Sequence, residues 1–529
     1  MLSDADTRSR LSIVTPVFEA VPDEFRLCVS SVFSQTTAQW EWVLVDDGSK
    51  EGAHFPVLGE LEDHPQIRVI RTPENAGISA ATNTAIEFCS GDFVAFLDQD
   101  DMLQVNAVER VLDVLLEVPE ADIVYSDEDK ISAKNSFYSP FRKPDWSPER
   151  FRHQNYLNHL TVIRKDLISQ VGGLRSEFDG SQDYDLLLRV TERARKVIHI
   201  PEVLYHWRAG EGSVAASPEA KPAAHLRAVE AVQQHLRRVG ITGKASLMAN
   251  FYIGVDRQRS KNPLVSIIIP TRGSVNRIGG AETCLVENCV ESILDLTDYD
   301  NFEIIVVADA DSSPESLSYL GGHADARVRT VSFDGVFNFS RKINLGALYA
   351  RGEILIPLND DTQVIQRSWI DDLILFLEEP DVGAVAPILL LEDGRIQSAG
   401  HFFDDGVHHV APGFPTRLDG PYGVLSFPAE RSGVTFAAVA LRRSDFMGVG
   451  GLSEEFPRSF NDVDYCNQLL LTGSRIICNA KHALFHFESL TRDPQVESSE
   501  VTNLYRSWGS KLSSPDPFLP YFREQMFGS

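Results

Sequence analysis

The sequence predicts an α/β fold built twice, as two tandem domains whose sheets are mostly parallel and covered by helices. Three observations predict it. Short β-branched runs alternate along the chain with stretches of helical periodicity, the pattern of a parallel sheet with crossover helices. The run LSIVTPVF at 11–18 returns as LVSIIIPT at 264–271, with Pro16 and Pro270 254 residues apart. Acidic residues stand directly after the buried runs of both halves, at the strand ends where open α/β sheets bind ligands.

The elements follow in the same order in each half. The first strand leads into a helical pattern, Phe25, Cys28, Val29, Val32 and Phe33, repeated as Val286, Cys289, Val290, Ile293 and Leu294. A second buried strand, 42–45 or 304–307, runs into Asp46 and Asp47, or into Asp309. Ser79, Asn83 and Gly91 are spaced 4 and 8, as are Ser340, Asn344 and Gly352. A third strand, 93–97 or 354–358, ends in DQDD or NDD. Gly172 and Gly173, or Gly450 and Gly451, precede QDYD or NDVD. An aromatic-flanked histidine closes the series, His206 lying 23 residues after Asp183 and His486 lying 24 after Asp462. A period near 260 that holds several βα units marks a repeated domain and not a solenoid module. Residues 218–239 predict a helix ending at Gly240, with Leu226, Val229, Val232, Leu236 and Val239 on one face. The junction is expected within 245–262, giving domains 1–245 and 246–529, and the basic residues of DRQRSKNP read as a solvated linker.

Composition removes several function classes. With 49 Lys and Arg against 76 Asp and Glu the net charge is −27, and no long basic run is present to grip a phosphate backbone, so no nucleic-acid partner is expected. The opening MLSDADTRSR lacks an apolar h-region, and the longest apolar runs, such as 382–391, are too short for a bilayer. Six cysteines without CxxC spacing read as reduced thiols, and the expected location is cytoplasmic. The C-terminal PDPFLPYFREQMF has two readings, packing against the second domain or peripheral contact with the inner face of the cell membrane. Neither GxxxxGK[ST] nor a strand-linked GxGxxG occurs, which excludes a P-loop NTPase and a dinucleotide-binding enzyme.

Asp98, Asp100 and Asp101 crowd within four residues behind the apolar FVAFL. Carboxylates that close repel one another unless a cation compensates, and Mg²⁺ or Mn²⁺ on such ligands completes its shell with water and substrate phosphates. A diphosphate substrate is implied. Asn75 and Gly77 shape either a turn at that ligand or a purely structural turn.

TPVFEA, WVLVDDGS, ENAGISAATN, FVAFLDQDD and SQDYDLLLRV in the first half, and IIIPTR, IIVVADADSS, FNFSRKINLGA, IPLNDD and FNDVDYC in the second, together resemble glycosyltransferase family 2. YSDEDKI, KPDWSPE, VLYHWR and FHFESLTR narrow the resemblance to bacterial tandem-domain members that build O-antigen, capsule or related surface polysaccharides. The resemblance implies a GT-A fold in each half and inverting transfer from a nucleotide-sugar donor to a polysaccharide or lipid-linked saccharide acceptor. It places Asp47 and Asp309 on the nucleobase, with Glu19, Asp46 and Asn75 in the same donor-binding set. It matches Asp98, Asp100 and Asp101 to the DxD region that meets ribose, diphosphate and metal, with Asn359, Asp360 and Asp361 as the second set. Asp100, Asp101 and Asp361 are the implied ligands of Mg²⁺ or Mn²⁺, joined by His206 and His486. The other reading of His206 is a packed ring between Tyr205 and Trp207. Asp183 and Asp462 match the catalytic base, with Gln182 and Asn461 in place of the usual preceding Glu.

The chemistry is consistent without the family name. A sugar hydroxyl is a poor nucleophile at neutral pH, and a positioned carboxylate that takes its proton is ordinary general-base catalysis. The anomeric carbon passes through an oxocarbenium-like state while a diphosphate leaves from the opposite face, and that charge needs a cation in place. Two active sites is the leading reading. One catalytic and one degenerate acceptor-binding domain is the alternative, on Ala308 and Asn359 in the second half, and a non-catalytic carbohydrate-binding scaffold is a third. A nucleotidyltransferase would need a glycine- and arginine-rich loop near the N-terminus, which SIVTPVFEAVPDEFR is not.

Overall fold

The structure is a computed structural model that describes residues 11–50, 52, 54–132, 134–208, 222–487 and 496–527. The N-terminal decapeptide, the start of the 218–239 helix and the end of FHFESLTR lie outside the described residues. Two compact units divide the chain, Met1–Trp146 with Phe151–Asp256, and Ser147–Arg150 with Arg257–Ser529. The first unit runs past residue 245 because a hairpin follows the helix Pro222–Arg238 and is fastened to it. Gln233 on that helix accepts the Ala245 N–H at 2.9 Å and donates to Gly243 O at 3.1 Å.

In the first unit the sheet runs Ile67–Arg71, Trp40–Asp46, Leu11–Val17, Phe93–Phe96, Thr161–Arg164, Ile123–Ile131, Val197–Arg208, Met102–Leu103. The first four strands are parallel. Thr161–Arg164 is wedged in antiparallel to both neighbours. The second unit repeats the arrangement in Val328–Phe333, Phe302–Asp309, Val265–Thr271, Ile354–Pro357, Ala440–Arg442, Val382–Leu390, Arg475–His486, Thr362–Val364.

Strand alternation divides each unit's core into two layers. Ile13, Val17, Trp42 and Leu44 fill one layer, while Val14, Val43 and Val45 between them fill the other. Ile267, Ile269, Ile304 and Val306 face one side in the second unit, and Ile268, Ile305 and Val307 the opposite side. All are buried, so both faces of each sheet are covered by helices.

The repeated Ser, Asn and Gly positions are packing devices. Asn83 donates to Leu174 O at 2.9 Å and accepts the Leu174 N–H at 2.8 Å; Asn344 makes the same pair with Leu452, both at 2.9 Å. The second glycine of each pair is required by that clamp. Gly173 has φ +71° and Gly451 φ +77°, and a Cβ on either would lie 2.5 Å from the asparagine Oδ1. Gly91 and Gly352 donate their N–H to Ser12 Oγ at 3.0 Å and Ser266 Oγ at 2.9 Å. The clamp ties the helices Ile78–Phe88 and Phe339–Tyr349 to the turns that lead into Gln182–Thr191 and Asn461–Leu471, whose first turns carry Asp183 and Asp462.

Candidate active site

In the first unit a cleft opens at the strand ends, lined by Asp47, Asn75, Gly77, Ala81, Asp98 and Asp100 among others. A second cavity beneath it is lined by Asp98, Asn158, His159, Gln182 and Asp183. Asp98 belongs to both. Asp47 accepts the N–H groups of Ala76 at 2.9 Å and Gly77 at 2.8 Å, and so pins the turn that carries Asn75 against the cleft. Asp46 is buried and accepts the Ser49 N–H at 3.3 Å. Glu19 is exposed, with φ +43°, and donates its N–H to Ser49 Oγ at 2.9 Å.

Asp183 accepts the Tyr184 N–H at 2.8 Å and side-chain N–H groups of Asn155 at 3.4 Å and Asn158. Burial raises the Asp98, Asp100 and Asp183 carboxyls above the ordinary range, and the nearby charge of His159 opposes the rise in all three. Burial alone would lower His159, but its hydrogen bond to Glu128 and the charges of Glu128, Asp98 and Asp101 prevail and bring it to about 9. Sequence reasoning missed this residue. A lone histidine in NYLNHLTVI carries no spacing signal, and only the wedged antiparallel strand brings it to the acidic cluster.

Two expectations for this unit are corrected. Asp101 does not face a ligand: it accepts the Tyr205 hydroxyl and the Arg208 N–H, each at 2.6 Å. His206 turns to the other side of its strand, with Nδ1 2.6 Å from Asp129 Oδ1 and its ring stacked on Phe137 at 4.0 Å.

The matching of the two halves is also off by one residue. The N–H groups of Leu97 and Leu358 donate to the equivalent carbonyls of Val14 and Ile268, and those of Leu103 and Val364 to Ser31 Oγ and Ser292 Oγ. Asp98 therefore corresponds to Asn359, Asp100 to Asp361, and Asp101 to Thr362. On the facing strand Leu103 pairs with Tyr205 and Val364 with Leu484, so the counterpart of His486 is Trp207 and not His206. The difference between spacings of 23 and 24 was this slip.

In the second unit His486 Nδ1 lies 2.7 Å from Gln397 Oε1, which places a proton on Nδ1, so that in the neutral ring Nε2 is an acceptor. Nε2 sits 3.2 Å from Asp361 Oδ1 and 3.2 Å from Asn359 Nδ2. Asp361 Oδ1 and Asn359 Oδ1 are buried without a hydrogen-bond donor. Asp360 accepts the Thr271 hydroxyl at 2.6 Å, and burial together with the Asp361 charge pushes it up to about 7. Asp462 accepts the Val463 N–H at 2.8 Å. Asp309 is 2.5 Å from the ammonium of Lys342, which also donates to Thr271 O at 2.8 Å and is fully buried. By the Ser and Asn spacing, Lys342 stands where the first unit has Ala81 in its cleft.

A buried thiol underlies each acidic loop. Cys28 Sγ is 3.6 Å from Asp98 O, and Cys289 Sγ is 3.6 Å from Asn359 O. Burial raises both thiols, Cys289 to about 12.

Residues 12–171 and 266–415, more than half of the chain and one stretch in each unit, match the profile described as Glycosyl transferase family 2. The chain belongs to this family. As a family 2 glycosyltransferase with the GT-A fold, it is 35% identical over 518 residues to the O-antigen biosynthesis protein RfbC of Myxococcus xanthus, covering 96% of this chain and 40% of that protein. It is 36% identical over 494 residues to the uncharacterized protein y4gI of Sinorhizobium fredii, covering 91% of this chain and 53% of that one. The chain thus spans about half the length or less of these relatives. A shorter match, 28% over 180 residues, is to the chondroitin synthase of Escherichia coli, covering 34% of this chain and 26% of that enzyme. No helix of this glycosyltransferase among the described residues is long and apolar enough to cross a membrane.

Proposed function

We propose that this glycosyltransferase moves sugars, with inversion, from nucleotide-sugar donors to a growing polysaccharide or lipid-linked saccharide of the cell surface, using one site in each unit. The observation that carries the reading is the shared cavity of Asp98 and Asp183. A carboxylate in the first turn of one helix and the carboxylate just beyond the end of a central strand line one cavity, which shares Pro16, Ile78 and Asp98 with the donor cleft. The name of the Myxococcus relative, an O-antigen biosynthesis protein, supports the choice of acceptor class.

In this reading the acceptor hydroxyl gives its proton to Asp183 as its oxygen attacks the anomeric carbon. The bond from that carbon to the diphosphate breaks on the opposite face, and the nucleoside diphosphate departs. Asn155 and Asn158 hold the base in its orientation. Asp462 has the same role in the second unit.

The family resemblance implies Mg²⁺ or Mn²⁺, and the second unit's residues fit one. With His486 neutral, Asp361 Oδ1 and His486 Nε2 are two acceptors facing each other beside the undonated Asn359 Oδ1, a set that a divalent cation would satisfy. Asp361 and His486 would hold the ion there, and Asp98 and Asp100 would do so in the first unit. Among the described residues no three His, Cys, Asp or Glu side chains form a metal-holding group, so donor phosphates and water would complete the shell. The ion, when bound, offsets the charge of the departing diphosphate.

A screen of nucleotide sugars for release of nucleoside diphosphate, with and without Mn²⁺, tests the reading; release of pyrophosphate or of nothing refutes it. One observation favours a second reading, a catalytic first unit beside a degenerate acceptor-binding one. Lys342 neutralises Asp309 and fills the place of Ala81 in the first unit's cleft. Donor turnover unaffected by Asp462→Asn decides for it.

A further inference from the structure

The two units carry their site histidines on different strands. Phe93 pairs with Arg164 and Ile354 with Arg442, so five residues earlier His159 corresponds to Ala437. On the last strand the exchange is reversed, with Trp207 in the first unit and His486 in the second. The acidic loops are therefore met by histidines from different strands, His159 in the first unit and His486 in the second.

His159 is built into its place. Its Nδ1 lies 3.3 Å from Glu128 Oε2, which also accepts the His159 backbone N–H. Lys143, fully buried, supports both, 3.3 Å from Glu128 Oε2 and donating to His159 O at 2.6 Å. The ring stacks on Tyr205 at 4.8 Å and tilts against Trp207 at 5.6 Å. With Nδ1 turned to Glu128, the ring presents its other edge to the cavity of Asp98 and Asp183, and 22% of the side chain is exposed there.

Charge balance gives that edge a purpose. The described residues lining the cavity and the cleft above it include Asp47, Asp98, Asp100 and Asp183 but no Lys or Arg. Arg208 donates from Nε to Asp100 O and from Nη1 to Asn135 Oδ1 at 2.8 and 2.9 Å; its Nη2 is buried without a hydrogen-bond partner, and the residue lines neither space. Among the described residues lining these spaces, His159 is the one basic side chain open to a ligand with two phosphates.

We propose that His159, oriented by Glu128, is a catalytic residue of the first site that contacts the diphosphate of the donor as it leaves. This rests on the transferase reading above. The test uses the full chain carrying Asp462→Asn, in which turnover reports the first site, and compares His159→Gln and His159→Lys. The inhibitors are the diphosphate and monophosphate of the nucleoside that the donor screen returns. His159→Gln keeps polarity and approximate size without the charge, and is expected to lower kcat by about 10²-fold. It also raises the inhibition constant of the diphosphate by about tenfold while leaving that of the monophosphate unchanged. His159→Lys restores part of both. Equal weakening of diphosphate and monophosphate, or a His159→Gln enzyme indistinguishable from its parent, assigns His159 to packing and overturns the proposal alone. A parent chain that neither turns over nor binds nucleoside diphosphate removes the transferase reading and this proposal together.

Discussion

Asp183 and Asp462 each stand in the first turn of a helix. Replacing either by Asn removes the proton acceptor and keeps the shape, so each substitution is expected to lower kcat at its own site by about 10²-fold or more with donor binding little changed. Separate assays of the two single variants show whether both units contribute. The pH dependence has a definite sign. Burial raises the Asp183 carboxyl, and the base works only when ionised, so first-site kcat falls with decreasing pH through a midpoint above the usual aspartate range. A kcat profile of the Asp462→Asn chain that is flat down to pH 4 contradicts this. The equivalence of these two aspartates was legible in the sequence because each stands in an acidic cluster after a double glycine. His206 and Asp101 were not read correctly, for a reason of strand geometry. Successive side chains point to opposite faces, so a slip of one residue exchanges the ligand-facing set for the structural one. His159 left no trace in the pattern, since its importance arises from Glu128, Tyr205 and Trp207, all distant in sequence.

The asparagine clamp decides where the base helix begins. Asn83 reaches across 91 residues to the backbone of Leu174, and Asn344 across 108 to Leu452. Asn83→Ala strands a buried N–H and a buried carbonyl and is expected to cost the first unit about 1–3 kcal/mol. Gly173→Ala drives a methyl against Asn83 Oδ1 at a positive φ and is expected to cost a similar amount. Thermal unfolding of each variant measures the loss, and a Gly173→Ala protein as stable as its parent refutes the clamp. The sequence displayed these residues as a repeat and supplied the alternating strands and their order. It gave no role to the Asn and Gly, because a contact between residues so far apart has no local signature. The wedged antiparallel strands, Thr161–Arg164 and Ala440–Arg442, escaped for the same cause: a run of four or three residues does not announce its direction.

At the scale of the whole molecule, the first unit gathers carboxylates where burial opposes their charge. Asp98, Asp100, Asp101 and Asp183 all have carboxyls raised in the fold by burial. A raised folded value means that protonation favours the folded state, so their contribution to the first unit's stability increases as pH falls from neutral toward the ordinary carboxylate range. A divalent ion that binds the folded chain acts in the same direction at constant pH. Mn²⁺ at pH 7 is therefore expected to raise Tm, EDTA to reverse the rise, and Asp361→Asn with His486→Ala to remove the second unit's share. A Tm indifferent to Mn²⁺ in the parent chain counts against metal at either site. The two units carry a means of reading such effects one at a time. Cys28 and Cys289 lie under the two acidic loops with their thiols held far from ionisation, so an alkylating reagent finds almost no thiolate while the loop is closed. Modification must wait for the floor of the site to open. With one of the pair replaced by serine, the labelling rate of the other becomes a clock for the opening of its own unit, and the slowing of that clock by a donor or an ion measures which unit has been occupied.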